Sequence, residues 1–250
     1  MLVSRMQDKL DRIIIVLVEP QEGANVGSVC RAMKTMGISR LSIVGRRRSF
    51  FEEERVYTLA VHAKDIYESA RFTDTLEEAL SGSVLSAGVT RRRGKYRKYF
   101  SYPPEQFAQK AETIAEGDIC LVFGRESSGL RDEELNRCST AVHIPSSPRF
   151  PSLNLAHAVQ VCTYACYRTF GDSPGQFTPV PRERVQELTT SVLSSLDKID
   201  FFKQNEREEL ERYFSDIFTR ASLSHTESLR MEKIFRKLPG FLLHRQPPPR

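Results

Sequence analysis

The chain alternates short apolar runs with segments of helical periodicity. Residues 12–18 (RIIIVLV) carry no polar position after the first, 41–44 are apolar but for Ser42, and 84–89, 119–123 and 141–144 are runs of the same kind. Runs this short and rich in β-branched residues predict strands covered on both faces, as in a parallel sheet. Residues 25–36 read as a helix that Gly37 ends, and 56–70 are weakly helical. Thr75-Leu-Glu-Glu78 is a capping box opening a short helix to Leu80. Pro103 and Pro104 close a loop and start a helix of about ten residues. A short helix is expected over 132–138. A longer apolar helix is expected over 152–170, with Pro151 and Ser152 where helix starts favour them. The alternation predicts an α/β domain over 1–170 with right-handed crossovers.

Past residue 170 the pattern changes. The turn formers of 171–181 predict a linker. Helical spacing returns at Val185, Leu188, Val192, Leu193, Leu196 and Ile199, then at Leu210, Tyr213, Phe214, Ile217 and Phe218. A third helix is expected from the box Ser224–Glu227 to about Leu238. Residues 182–240 thus form a helical extension too small to stand alone, which must dock on the first domain, a second subunit or RNA. The proline-rich stretch 241–250 is expected to be disordered.

Composition narrows the class. At 250 residues, 40% hydrophobic and 28% charged, the chain has the balance of an ordinary water-soluble protein. No apolar run approaches the ~20 residues of a membrane helix, and the polar, basic first dozen residues lack a signal-peptide core. A cytoplasmic protein without a membrane partner is the expectation. The five cysteines form no CxxC, and Cys162 and Cys166, one helical turn apart, read as packing rather than metal ligands. No metal site is expected. A net charge of +5 points to a polyanionic partner only if it is clustered. It is: Arg46, Arg47 and Arg48 follow one strand, and Arg91, Arg92, Arg93, Lys95, Arg97 and Lys98 follow another. Tyr96 and Tyr99 supply stacking faces for unpaired bases there.

Two strands, 119–123 and 141–144, run straight into polar turns, and ligands of open α/β sheets sit at such carboxyl ends. Neither glycine turn is a nucleotide fingerprint. In Glu22-Gly-Ala-Asn-Val-Gly27 the glycines are four apart, not in the G-x-G-x-x-G pattern. Gly124-Arg-Glu-Ser-Ser-Gly129 has P-loop spacing, but Leu130 and Arg131 stand where Lys and Ser/Thr are needed.

Three motifs in order, Asn25-Val-Gly-Ser-Val-Cys-Arg31, Leu121-Val-Phe-Gly-Arg-Glu126 with Gly129-Leu130, and Ile144-Pro145 with Ser152-Leu-Asn154, resemble the SpoU branch of the SPOUT RNA methyltransferases. The resemblance covers about residues 10–170. Within the branch, the MKTMG end of the first helix, Thr90 and the helical extension look like the bacterial enzymes that methylate the ribose of C or U at position 32 of tRNA. The resemblance implies S-adenosyl-L-methionine as cofactor, a trefoil-knotted C-terminal half of the α/β domain, and a homodimer with pockets near the subunit interface. By motif position it implies cofactor contacts from Thr90, Arg91, Arg92, Gly124, Ile144, Pro151, Ser152 and Leu153. Relatives often carry serine at the position of Pro151, whose contact here is apolar or through its carbonyl. Asn25, Arg31, Glu126, Ser152 and Asn154 match catalytic positions, and Arg46, Arg47, Arg93, Lys95, Arg97 and Lys98 would meet RNA.

Taken alone, Arg31 reads as a solvated helix arginine, Glu126 as a turn carboxylate, and Ser152 and Asn154 as helix caps. His143 and His157 read as packing or pocket-wall residues. An arginine with a pKa above ~12 is poorly suited to be a base, so Arg31 is expected to clamp phosphate and stabilise charge. The expected function is 2′-O-methylation of an anticodon-loop nucleotide of tRNA. Ribosomal RNA as substrate, and a non-catalytic RNA-binding protein, are the alternatives.

Overall fold

A computed structural model describes residues 2–91, 100–170, 178–203 and 206–243, with side chains from residue 6 to 241. The chain divides into two compact units, Met1–Thr178 and Pro179–Arg250.

The first unit opens on a helix not expected from sequence, α1 (Leu2–Leu10), then β1 (Ile13–Val18), α2 (Gly23–Thr35) and β2 (Arg40–Val44). A 3-10 turn, Arg48–Phe50, leads to α3 (Glu53–Ala60), and a second, Val61–Ala63, to α4 (Lys64–Glu68). Next come β3 (Arg71–Thr73), α5 (Leu76–Leu80), β4 (Ser83–Val89), β5 (Ser101–Tyr102) and α6 (Pro104–Glu112). β6 (Asp118–Phe123), α7 (Asp132–Arg137), β7 (Thr140–Val142) and α8 (Leu155–Thr169) complete it. The box at α5 forms as expected: the Glu78 amide donates to Thr75 Oγ1 (3.3 Å), and Glu78 Oε2 accepts from the Asp74 amide (3.2 Å).

All seven strands are parallel, in the order β3-β2-β1-β6-β4-β7-β5. β6 and β7 are each inserted between strands laid down earlier in the chain, the interleaving that a knotted C-terminal half calls for. The unbroken apolar strands have the cause inferred from them, because the sheet is covered twice. Ile13, Ile15, Leu17, Leu121 and Phe123 face one core with α2, α3, α6 and α8, while Val16, Val18, Cys120 and Val122 face the other with α5 and α7. Gly27 lets α2 and α3 meet closely, since a Cβ there would strike the Val56 carbonyl.

Two expected elements are corrected. α8 begins at Leu155, not 152: Asn154 is its N-cap, with Oδ1 accepting from the Ala156 amide at 2.9 Å, so Pro151 and Ser152 precede the helix. The strand expected over 141–144 ends at Val142 because His143 and Ile144 already belong to the turn, although the His143 amide still donates to the Tyr102 carbonyl (2.9 Å).

The second unit contains α9 (Arg182–Asp197), α10 (Glu206–Ala221) and α11 (His225–Leu243) around Val185, Leu188, Val192, Leu196 and Phe218. Val180, expected in the linker, is buried, and its amide donates to the Leu223 carbonyl (2.7 Å). α11 passes through Pro239, where the missing N–H leaves one intrahelical bond unmade, and so enters the stretch expected to be disordered. The rest of that tail, 244–250, and linker residues 171–177 lie outside the described residues. Among the described residues no helix is long and apolar enough to cross a membrane.

Candidate active site

The carboxyl ends of the five inner strands lie level with one another, with Val18 beside Val44, Leu17 beside Phe123, Gly88 beside Val122 and Val89 beside Val142. The turns leaving them enclose a cleft. Its wall is built by Val89 at the end of β4 with Thr90 and Arg91 after it, by Phe123 at the end of β6 with residues 124–130 after it, by Ile144 after β7, by Pro151, Ser152 and Leu153, and by Leu155 and Ala158 of α8. Thr90 continues the β4 ladder, its amide donating to the Val142 carbonyl at 2.9 Å. Ser146 Oγ donates to the Pro151 carbonyl (3.0 Å), which leaves the proline ring as that residue's apolar offering.

The turn after β6 is the tightest part. A Cβ on Gly124 would run into the backbone of Gly129 and Leu130, and Gly129 itself has φ +70°. The Gly129 amide donates to the Arg125 carbonyl at 2.8 Å. Glycine at both positions lets the loop fold back on the strand that delivers it.

Three of the catalytic candidates form one hydrogen-bonded chain. Glu126 accepts from the Gln21 amide (3.0 Å), the Glu22 amide (3.4 Å) and Asn25 Nδ2 (2.9 Å). Asn25 Oδ1 accepts from Asn154 Nδ2 (3.0 Å), and Asn154 then caps α8. Asn154 therefore serves as both cap and site residue. Ser152 lines the cleft, is exposed and makes no hydrogen bond among the described residues. Arg31 stands apart: it lies six residues after Asn25, about 9 Å along the helix axis, exposed and without a hydrogen bond or ion pair among the described residues.

Sequence reasoning missed the residue that holds the turn in place. Arg125 is buried, with a side chain only 8% exposed. It donates from Nε to Glu19 Oε2 (3.0 Å) and forms a two-pronged bond to Glu134 (3.0 and 2.8 Å). Glu19 is 106 residues away at the end of β1, so no local pattern announces the pair. The Arg125 hydrogen bond holds the Glu19 carboxyl below its ordinary range against the opposing effect of burial. Burial pushes Glu134 upward, but hydrogen bonds from Arg125 and the Arg131 amide outweigh it, and its carboxyl also sits low. The guanidinium is correspondingly raised, chiefly by Glu134 and then Glu19.

The cations separate into distinct roles. Arg48 is structural, donating to the Tyr67 and Glu68 carbonyls (3.1 and 3.0 Å) and lying over the Tyr67 and Phe72 rings. Arg46 lies over the Phe50 ring at 4.3 Å, and Arg47 is exposed. Arg91 is exposed at the cleft, whereas Arg92, Arg93, Lys95, Arg97 and Lys98 lie outside the described residues. All five cysteines are buried free thiols. Burial pushes Cys30, Cys120 and Cys166 up to about 12, which removes them as nucleophiles at neutral pH. Among the described residues no group of His, Cys, Asp and Glu could hold a metal ion.

A parallel sheet with a strand-end cleft and no phosphate fingerprint defines a class of α/β proteins that hold a small ligand on strand-end turns. Within that class the chain belongs to the SpoU rRNA Methylase family, whose model matches residues 12–164. The family resemblance drawn from the three motifs is thereby borne out. The tRNA (cytidine/uridine/adenosine-2′-O-)-methyltransferase TrmJ of Pseudomonas aeruginosa is 40% identical over 209 residues, 83% of this chain and 79% of its own. The tRNA (cytidine-2′-O-)-methyltransferase TrmJ of Methanocaldococcus jannaschii is 32% identical over 231 residues, 90% of this chain and 98% of its own. Among solved structures, TrmJ from Z. mobilis superposes with a TM-score of 0.68 at 28% identity, covering 90% of this chain and 98% of the other.

Proposed function

We propose that this chain transfers a methyl group from S-adenosyl-L-methionine to the ribose 2′-hydroxyl of a tRNA nucleotide, C or U at position 32 of the anticodon loop, as a cytoplasmic homodimer. The observation that carries the reading is the Glu126–Asn25–Asn154 chain, which joins two strand-end turns and the first turn of α2 beside one cleft. The cleft suits the cofactor: Val89, Phe123, Ile144, Leu153 and Leu155 offer apolar wall, and the close turn at Gly124 brings backbone rather than side chain to the ligand. Thr90, Arg91, Gly124, Ile144, Pro151, Ser152 and Leu153 would hold it, with Arg92 adjoining in sequence. Bound there, S-adenosylmethionine supplies an electrophilic methyl group.

The chain's own residues supply positioning and charge. Glu126 has three donors on its carboxylate, so its part is to fix Asn25 and residues 21–22 against the turn. Asn25 and Asn154 orient one another and present amide groups to the ribose, a preorganised polar edge of the kind that lowers barriers without rearrangement. Ser152 offers an uncommitted hydroxyl at the same edge. Arg31, with no protein partner among the described residues, is available to clamp an RNA phosphate and stabilise negative charge developing on the 2′-oxygen. Arg46, Arg47 and the cations of 93–98 extend the RNA surface. Tyr164 and Tyr167, exposed three residues apart on α8, support a second copy packing on that helix.

Nucleoside mass spectrometry of tRNA and ribosomal RNA incubated with the purified protein and cofactor tests the reading. A 2′-O-methylated pyrimidine in tRNA is expected. Methylation of ribosomal RNA alone would reject it, and sedimentation equilibrium showing only monomer would reject the dimer.

A further inference from the structure

Phe50 is half exposed at the carboxyl edge of the sheet that carries the cleft, yet neither cofactor binding nor methyl transfer gives it a role. Its ring is fixed on two sides. The Arg46 guanidinium lies over one face, 4.3 Å from the centroid, and the Phe51 ring stands perpendicular to it, centroids 5.2 Å apart at an interplanar angle of 89°. Phe51 is buried in the core beside the first turn of α2: a Cβ built on Gly23 would lie 3.7 Å from Phe51 Cβ, and Asn25 follows two residues later. The Glu19 carboxyl is lowered first by its hydrogen bond to Arg125 on the cleft wall and in small part by the charge of Arg46, which places Arg46 on the cleft side of the sheet. Arg46 Nε is buried and has no hydrogen-bond partner, so packing under the ring outweighs polar pairing at that atom. A large aromatic left half in water, backed by a guanidinium whose Nε is buried and flanked by the exposed Arg47, is costly as mere surface and suited to a flat, electron-rich ligand held near phosphate.

We propose that Phe50, backed by Arg46, is a stacking platform for an unpaired nucleobase neighbouring the nucleotide that enters the cleft. The inference rests on the RNA reading above. β2 lies two strand spacings from β6, about 10 Å, so the platform reaches a flanking base rather than the target. One face of Phe50 carries the guanidinium and the other takes the base, which tolerates any base because every base has a π-face. Arg47 reaches the adjoining phosphate.

The chain contains no tryptophan, so Phe50→Trp introduces a single fluorescent reporter that keeps the stacking face. This variant should methylate tRNA at near-native rate, and its emission should be quenched saturably by tRNA and left unchanged by S-adenosylhomocysteine. Phe50→Ala should raise the tRNA KM about tenfold while kcat and cofactor affinity stay within about twofold, with an unchanged sedimentation coefficient. A Trp signal blind to tRNA in a protein that still methylates it would overturn the platform. So would an unchanged KM in Phe50→Ala, or an Ala variant whose only change is in oligomeric state, which would make Phe50 a protein contact. An unsubstituted chain that neither binds nor methylates tRNA would bring down the functional reading and the platform with it.

Discussion

Arg31 and Arg125 have opposite surroundings, and substitutions should separate them. Arg31 is solvated and unpaired among the described residues, so Arg31→Ala should change stability by less than about 0.5 kcal/mol yet lower turnover about a hundredfold, as expected when one preorganised transition-state interaction is removed. Cofactor affinity should stay put, and Arg31→Lys should rescue little, because lysine lacks the planar fork that grips phosphate. Native-like turnover of either variant, measured by tritium transfer to tRNA, would refute the clamp. Arg125→Met should instead cost about 3 kcal/mol in urea unfolding, since it leaves Glu19 and Glu134 facing each other without their cation. The pair also sets an acid dependence. Both carboxyls are held below their ordinary range in the fold, so their contribution is present at neutral pH and is lost as pH falls from the unfolded value near ~4.3 through the lower folded values. Urea midpoints followed from pH 7 to pH 3 should fall more steeply for the unsubstituted protein than for Arg125→Met. The Arg31 role was legible as a motif position, but the Arg125 cluster was not, because Arg125 looks like a turn residue until Glu19, 106 residues away, is brought to it. Asn25, Glu126 and Asn154 were legible as motif members, but their mutual bonds span 101 and 129 residues.

Among the elements, the buried strands and the longer helices could be read because apolar runs and capping boxes are local signals. The Ser224 box forms as expected, the Glu227 amide donating to Ser224 Oγ at 3.3 Å and the Ser224 amide to Glu227 Oε2 at 2.8 Å. The three-residue β3 and two-residue β5 carry no period at all, and only their pairing with β2 and β7 makes them strands. Pro151 and Ser152 suit a helix opening as well as Asn154 does, and the start of α8 is decided by the Asn154 side chain, which accepts from the Ala156 amide. Gly27→Ala tests how the elements are fitted. With the added methyl aimed at the Val56 carbonyl, α2 and α3 must separate, which should cost about 1–3 kcal/mol and displace Asn25 from Glu126. Thermal melting and kcat should fall together, and an unaffected kcat would show that the α2–α3 fit does not govern the site.

For the whole molecule, the cleft belongs entirely to the first unit, while the polar network of the second, Arg184 with Glu232 and Ser191, ties α9 to α11 and so serves that unit's own packing. A chain ending at Thr178 should still bind S-adenosylhomocysteine in calorimetry while tRNA methylation falls at least tenfold; full turnover would contradict an RNA-gripping or dimer-forming role for residues 179–250. Replacing Arg93, Lys95, Arg97 and Lys98 together should weaken tRNA binding and flatten its salt dependence, with a slope change of about 0.7–0.9 for each phosphate no longer neutralised.

The interleaved strand order has a kinetic consequence. β1 and β4 are neighbours only through β6, and β4 and β5 only through β7, so during synthesis or refolding the first five strands have gaps where two more must enter. Until residues 118–142 arrive, those open edges are unpaired and prone to association with other chains. Glu126, which lines the cleft, and Asn154, which is bonded to it through Asn25, belong to the same late part of the domain. Competence should therefore appear only in the slowest refolding phase, after most helical ellipticity has returned, and the yield of active protein should fall as chain concentration rises.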